Sequence, residues 1–442
     1  MQLLRGLLLC ALIALTLATP ARALTLLRDP DIEYALKRLA EPVLKAAGLS
    51  PTRTDILVID DRSLNAFVVD RDHIFIHSGL LLKMQTPAML QAVIAHEAAH
   101  IANGHLMRRP INMRTARTAA GLGAALAAAA AIASGAGEVA GAAAVGVQTS
   151  ALRRFFAHTR AEENAADQSG LRYLASAGID PQGAIEVMDI FRGQEALSRY
   201  RQDPYARTHP LSADRFRVVR RLAEAYAGNT REDTAARYWF ARAKSKLSAF
   251  QRSPKWTLTR VGEFGYTDIR MMREAIAHHR RAQSSKAVAA IDRAIAQRPQ
   301  DPFLYELKGQ ILMESRRFEA AIAAYGRAVN LAPGNALILG SYGRALLAQG
   351  QTAKARDYLE QARARDGRDP RVMRDLAVAY AKQGNKGMAS LVTAERYAMG
   401  GRLEDAGLHA QRASDMLPRG STGWRRAQDV LSVAKAAEKK RR

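Results

Sequence analysis

Cysteine is almost absent from this chain: Cys10 is the single one in 442 residues. Neither a disulfide framework nor a cysteine-ligated metal site can be built from it. Aromatic residues make up only 6%, and no nucleic-acid-binding motif accompanies them. Nucleic acid is therefore a poor partner, even though 66 basic residues outnumber 42 acidic ones and leave a net charge of +24. A surface so short of negative charge favours anionic partners, and for an exported protein it suggests peripheral contact with an anionic membrane.

Long runs of large apolar residues are missing as well. Leu7 to Leu17 follows Arg5 and precedes Ala21-Arg22-Ala23, which reads as an export signal cut after Ala23. The mature chain would then carry no thiol and work in the periplasm, an oxidising compartment. A second uncharged stretch lies within Ala119 to Val147, but it is nearly all alanine and glycine. Leu122, Leu126 and Ile132 are the large aliphatics of its uncharged part, each worth roughly −0.5 kcal/mol of insertion. That is too little for a span, so a helical segment touching the membrane shallowly, or acting as a lid, is expected.

The most informative motif present is His96-Glu97-Ala98-Ala99-His100. On a helix the two imidazoles fall one turn apart on one face, where they would grip one Zn²⁺, and the glutamate would serve as base toward water. Thr86-Pro87 supplies a helix start and Asn103-Gly104 a stop. Leu90, Val93, Ile94 and Ile101 repeat at helical spacing, predicting an amphipathic helix with one core face. Asn103 and Leu106 stand where a metzincin needs glycine and histidine, which excludes that class. The third ligand must come from elsewhere. In Arg160-Ala161-Glu162-Glu163-Asn164-Ala165-Ala166-Asp167, Glu163 and Asp167 share a helix face, so one would ligate metal while the other orients a histidine; Glu162 is the rival.

Upstream, Asp55 to Asp61, Ala66 to Asp70 and His73 to His77 are short strand-like runs, with Asp70-Arg71-Asp72 as a turn. They predict a small sheet whose edge strand would take an extended peptide. His73, His77 and His105 are expected to lie outside any ligand set.

Downstream the chain repeats. Pro299 and Pro333 lie one period of 34 residues apart, and Gly309, Gly343 and Ala377 recur at the same spacing. The period predicts tetratricopeptide repeats over 268–420, irregular near 384, with a capping helix and basic tail at 421–442. Residues 253–267 read as a linker behind a domain at 24–252. Stacked repeats recruit protein partners.

H-E-x-x-H, R-x-x-E-x-x-A-D at 160–167 and Thr208-His209-Pro210-Leu211 with Asp214-Arg215 together resemble the M48 zinc metallopeptidases, as do Asn65-Ala66-Phe67 and Ser78-Gly79-Leu80-Leu81. Thr159 departs from the family's frequent serine, and Asn164-Ala165 from a more charged pair. The resemblance implies an α+β zincin-like metallopeptidase domain, mostly helical, followed by the all-α solenoid. It implies one zinc per chain held by His96, His100 and Glu163, with Glu97 as catalytic base. Asp167 and Arg160 would stand behind the ligands, and His209 would act at the site. The expected activity is zinc-dependent endoproteolysis of misfolded or assembling envelope proteins. A chaperone or adaptor with vestigial proteolysis is the alternative.

Overall fold

The computed structural model describes residues 25–105, 160–197 and 201–441. The export signal, Cys10 and the Ala119–Val147 segment lie outside the described residues. Among the described residues no helix is long and apolar enough to cross a membrane.

The N-terminal half is built on a four-stranded sheet of β1 (Leu26–Leu27), β2 (Asp55–Ile59), β3 (Ala66–Val68) and β4 (His73–His77), in the order β1-β2-β4-β3. β2 runs parallel to β4, while β1 and β3 pair antiparallel with their neighbours. Alternation sends Ile56, Val58, Ala66, Val68, Ile74 and Ile76 into the core. On the opposite face Phe67 stacks on Phe75 with centroids 5.4 Å apart.

Helix α1 (Pro30–Ala46) begins at Asp29, whose carboxylate accepts from Asp31 and Ile32 N–H, with proline at the first position. Its buried stripe of Leu36, Leu39, Ala40 and Val43 closes one side of the core. The short α2 (Ser78–Lys83) leads into α3 (Pro87–Ala102), capped by the Thr86 hydroxyl and stopped at Asn103, with Gly104 at φ +70°. The expected amphipathic character of α3 is not found: every residue from Met89 to Ile101 is buried. Neighbours cover it on all sides, so its polar residues must find partners inside the protein.

Two glycines set how closely those neighbours approach. A Cβ on Gly183 would fall 2.4 Å from the Ala88 carbonyl carbon, and one on Gly170 would fall 3.3 Å from that of Ala95. Helix α4 (160–176) thereby crosses α3 beside His96, and α5 (Gln182–Phe191) packs on its start. The short α6 (Pro204–Thr208), α7 (Ala213–Tyr226) and α8 (Thr234–Gln251) complete this half.

Part of the stretch read as a linker is helical: α9 spans Pro254–Thr259. The solenoid follows as α10 (Thr267–His279), α11 (Ser284–Gln297), α12 (Pro302–Glu314), α13 (Phe318–Leu331), α14 (Ala336–Ala348), α15 (Thr352–Arg365), α16 (Pro370–Lys382), α17 (Lys386–Met399), α18 (Leu403–Met416) and α19 (Thr422–Arg441). The chain near 384, expected to be irregular, is a tight turn at Gly384 (φ +76°) between two regular helices. The repeating glycines admit bulky neighbours: a Cβ on Gly309 would meet the Tyr325 ring, and one on Gly343 would meet Leu359.

The solenoid folds back onto the N-terminal half. Arg242 of α8 is fully buried, with Nε donating to Asp31 at 2.8 Å and Nη1 donating to Asp301. Lys246, also buried, sits 2.9 Å from Asp29 and 3.8 Å from Glu306. Removing one partner of such a network costs about 3–5 kcal/mol, because the remaining charge stays buried. Further along, Arg28 beside β1 donates to Asp366 at 2.6 Å, and Arg371 reaches the Arg28 carbonyl. Asp366 and Arg371 thus lie against the chain just beyond β1, and β3 is the strand at the other edge of the sheet.

Candidate active site

His96 and His100 stand one turn apart on α3, and their Nε2 atoms are 3.1 Å from each other. Glu163 of α4 reaches both, its oxygens 3.3 Å from His96 Nε2 and 3.3 Å from His100 Nε2. His209, at the C-terminal end of α6, points Nδ1 into the same space, 3.0 Å from Glu163 Oε2 and 3.2 Å from His96 Nε2. One donor atom from each of these four buried residues lies within 4.8 Å of every other. Three imidazoles and a carboxylate converging on one point are a fitting set for a divalent cation.

The surroundings fix the imidazoles. His96 Nδ1 is 3.0 Å from Asp167 Oδ1, which holds the ring proton there and turns the Nε2 lone pair inward. His100 Nδ1 is 3.0 Å from Nδ1 of buried His105. Arg215 completes the frame: its Nε and Nη2 donate to Asp167 at 2.8 and 2.9 Å, and its Nη1 to the Pro210 carbonyl at 2.7 Å. The loop bearing His209 is thus tied to α4. Its other anchors are the Tyr205 N–H, which donates to the Leu64 carbonyl just before β3, and the Tyr205 ring, 4.6 Å from the imidazole of His209.

Charge follows this geometry. Burial resists protonation of His96, but hydrogen bonds with Asp167 and Glu163 overcome it and carry its pKa to about 10. Burial pulls His100 down to about 3, and the adjacent His96 and His209 add to the depression. Two imidazoles in contact cannot both hold a proton cheaply, so they titrate in opposite directions. Burial would raise Glu163, yet His209, His100 and His96 keep its carboxyl well below the usual range. Asp167, likewise buried, is held low chiefly by Arg215.

Glu97 is fully buried beside this cluster. Both its carboxylate oxygens lack a hydrogen-bond partner among the described residues, although His209 Nε2 comes within 3.4 Å of Oε1. An orphaned carboxylate this deep is costly unless a further polar group or cation meets it.

The structure brings His96, His100, Glu163, His209, Glu97 and Asp167 together. Arg160 lies apart, exposed at the start of α4, and the guanidinium beside Glu163 and Asp167 belongs to Arg215 instead. Arg160 and Asp167 are seven residues apart on one helix, whereas Arg215 arrives from another. His105, expected to lie outside the ligand set, stands behind His100, and Tyr205 is the neighbour of His209 that sequence reading missed. The Arg215 signal was present in Asp214-Arg215, but nothing local said which carboxylate it would meet.

A small sheet beside a helix carrying paired histidines, with a glutamate delivered by a second helix, defines a metalloendopeptidase. Residues 27–223 match the model of Peptidase family M48. Tetratricopeptide-repeat models match residues 272–336, 312–374 and 346–390. The beta-barrel assembly-enhancing protease of Escherichia coli is 24% identical over 408 residues, covering 90% of this chain and 81% of its own. A Vibrio cholerae homologue of it is 29% identical over 247 residues, 50% of each chain. The mitochondrial metalloendopeptidase OMA1 of Schizosaccharomyces pombe is 28% identical over 210 residues, covering 46% of this chain and 57% of its own. Among solved structures, MamA from Desulfovibrio magneticus matches 37% of this chain and 95% of its own, at 17% identity and a TM-score of 0.32.

Proposed function

We propose that the chain is a zinc-dependent endopeptidase of the bacterial periplasm that cuts misfolded or assembling envelope proteins, outer-membrane proteins foremost. The observation carrying this reading is the convergence of His96, His100 and Glu163 beside the unpartnered carboxylate of Glu97. The names of the bacterial relatives supply the assignment to outer-membrane protein assembly.

In this reading His96, His100 and Glu163 hold the metal, which when bound supplies Lewis-acid polarisation of the scissile carbonyl. Glu97 takes a proton from the attacking water and passes it to the leaving amine, a use that suits a buried carboxylate with no hydrogen bond among the described residues. Asp167 and Arg215 hold His96 in its ligating tautomer. His209 reaches both Glu163 and Glu97, so its loop gates the resting site or stabilises the oxyanion. The substrate lies extended along β3, an edge strand of the sheet, and the solenoid recruits partners.

The test is cleavage of an unfolded outer-membrane β-barrel protein by the purified chain, with metal stripped by chelator and then restored. Activity should disappear with chelation and return with stoichiometric zinc. Cleavage indifferent to chelation overturns the metal reading, and resistance of unfolded β-barrel proteins to the zinc-loaded chain overturns the substrate class.

A further inference from the structure

The segment joining the two halves carries a surface that proteolysis does not use. Helix α9 is capped by Ser253, and its Trp256 gathers three guanidinium groups. Arg260 lies 5.0 Å, Arg252 5.6 Å and Arg273 5.8 Å from the indole centroid. Arg280 extends the cluster, donating to the carbonyls of Ala249 and Arg252.

Residues 252–281 hold seven arginines and lysines against three acids. The acids are already committed: Glu263 to Arg273 at 3.1 Å, Asp268 to Arg298 at 2.6 Å and Glu274 to Arg293 at 2.6 Å. Two of those partners, Arg293 and Arg298, come from outside the segment. Arg252, Lys255, Arg260 and Arg270 are therefore exposed with no carboxylate partner among the described residues. Elsewhere some exposed cations, such as Arg217, Arg237 and Arg402, have an acid in contact, and others, such as Lys354, Lys382 and Lys386, do not among the described residues. What sets this segment apart is that its unpaired cations surround an indole. Trp256, Leu258 and Val261 are half-buried among these unpaired cations and leave apolar edges between them.

We propose that this patch seats the protein on an anionic phospholipid surface. Lipid phosphates would meet Arg252, Lys255 and Arg260, and the indole of Trp256 would sit at headgroup depth. The mixture decides the occupant. Cations alone suit any polyanion, but an amphipathic indole flanked by aliphatic edges and long basic side chains matches the boundary between headgroups and acyl chains. The attraction is worth roughly a five-fold change in partitioning for each basic residue at the surface. The inference is independent of the catalytic reading.

The experiment is co-sedimentation of the full chain with phosphatidylglycerol–phosphatidylethanolamine vesicles and, separately, with phosphatidylcholine vesicles. Binding should require phosphatidylglycerol. The R252Q/K255Q/R260Q variant should bind about a hundred-fold more weakly. Lys354→Gln, Lys382→Gln and Lys386→Gln, combined as an equal loss of charge on the solenoid, should change it less than about three-fold. Should the triple variant misfold, the single exposed K255E carries the same expectation at roughly twenty-five-fold. Equal weakening by the solenoid control overturns the proposal in favour of diffuse net charge. Displacement by inorganic phosphate at matched phosphate concentration makes the patch a free-phosphate site. Patch-dependent binding of polyglutamate without vesicle binding makes it an acidic-protein surface. Either result overturns the membrane assignment.

Discussion

Nε2 of His209 lies 3.4 Å from Oε1 of Glu97, the contact by which the loop after α6 reaches the buried carboxylate of α3. The same ring turns Nδ1 toward Glu163. A histidine placed between the base and the donors obstructs both while it stays there. His209→Ala should therefore raise basal cleavage of casein several-fold and broaden the range of proteins cut, with metal content retained. A fall in kcat of roughly 10²-fold with metal retained would instead assign His209 to oxyanion stabilisation.

Glu97→Gln should keep the fold and the metal yet lose peptidase activity by at least about 10²-fold, because an amide cannot accept the water's proton. Casein cleavage near wild-type rates by this variant would remove Glu97 from the mechanism. Full rescue of an envelope defect by the inactive variant would favour the chaperone alternative.

Metal analysis of Glu163→Ala and Glu162→Ala separates the two adjacent glutamates. Glu163 contacts both paired histidines, so its loss should empty the site and lower the melting temperature of the protease half. Glu162→Ala should retain one metal per chain. The reverse result reassigns the third ligand.

Glu306 gives the seam a pH dependence of predictable sign. Burial, reinforced by Asp29 and Asp31 and opposed by Lys246, raises its pKa to about 7 from an ordinary 4.5. Between those values the unfolded chain releases this proton while the folded chain keeps it, so folding stability from this group falls as pH rises from 4.5 to 7. Compared with Glu306→Gln, the wild type should lose several degrees of melting temperature between pH 5 and pH 7.5. A constant difference across that range would rule out the titration.

The parts of this molecule legible in sequence are those whose signal is local. The α3 caps, the one-turn spacing of His96 and His100, and the spacing of Glu163 from Asp167 depend on helix geometry alone. The 34-residue period likewise exposes the solenoid. What could not be read depends on which distant elements meet. Arg215 supplanted Arg160 beside Asp167 because α7 crosses α4, and α3 lost its expected solvent face because α1, α4 and α5 enclose it. The Arg242 network was unreadable for the same reason: charged residues on α8 look like a solvated face until α1 and α12 close over them.

The bond between Arg28 and Asp366 joins residues 338 apart in the chain. Synthesis therefore delivers the catalytic half long before the loop that anchors Arg28 beyond β1. Contacts of such separation are slow to form, and until this one does Arg28 lacks Asp366 as a partner. The solenoid thus also completes the contacts of the catalytic half, and a chain truncated before residue 366 would leave Arg28 without Asp366.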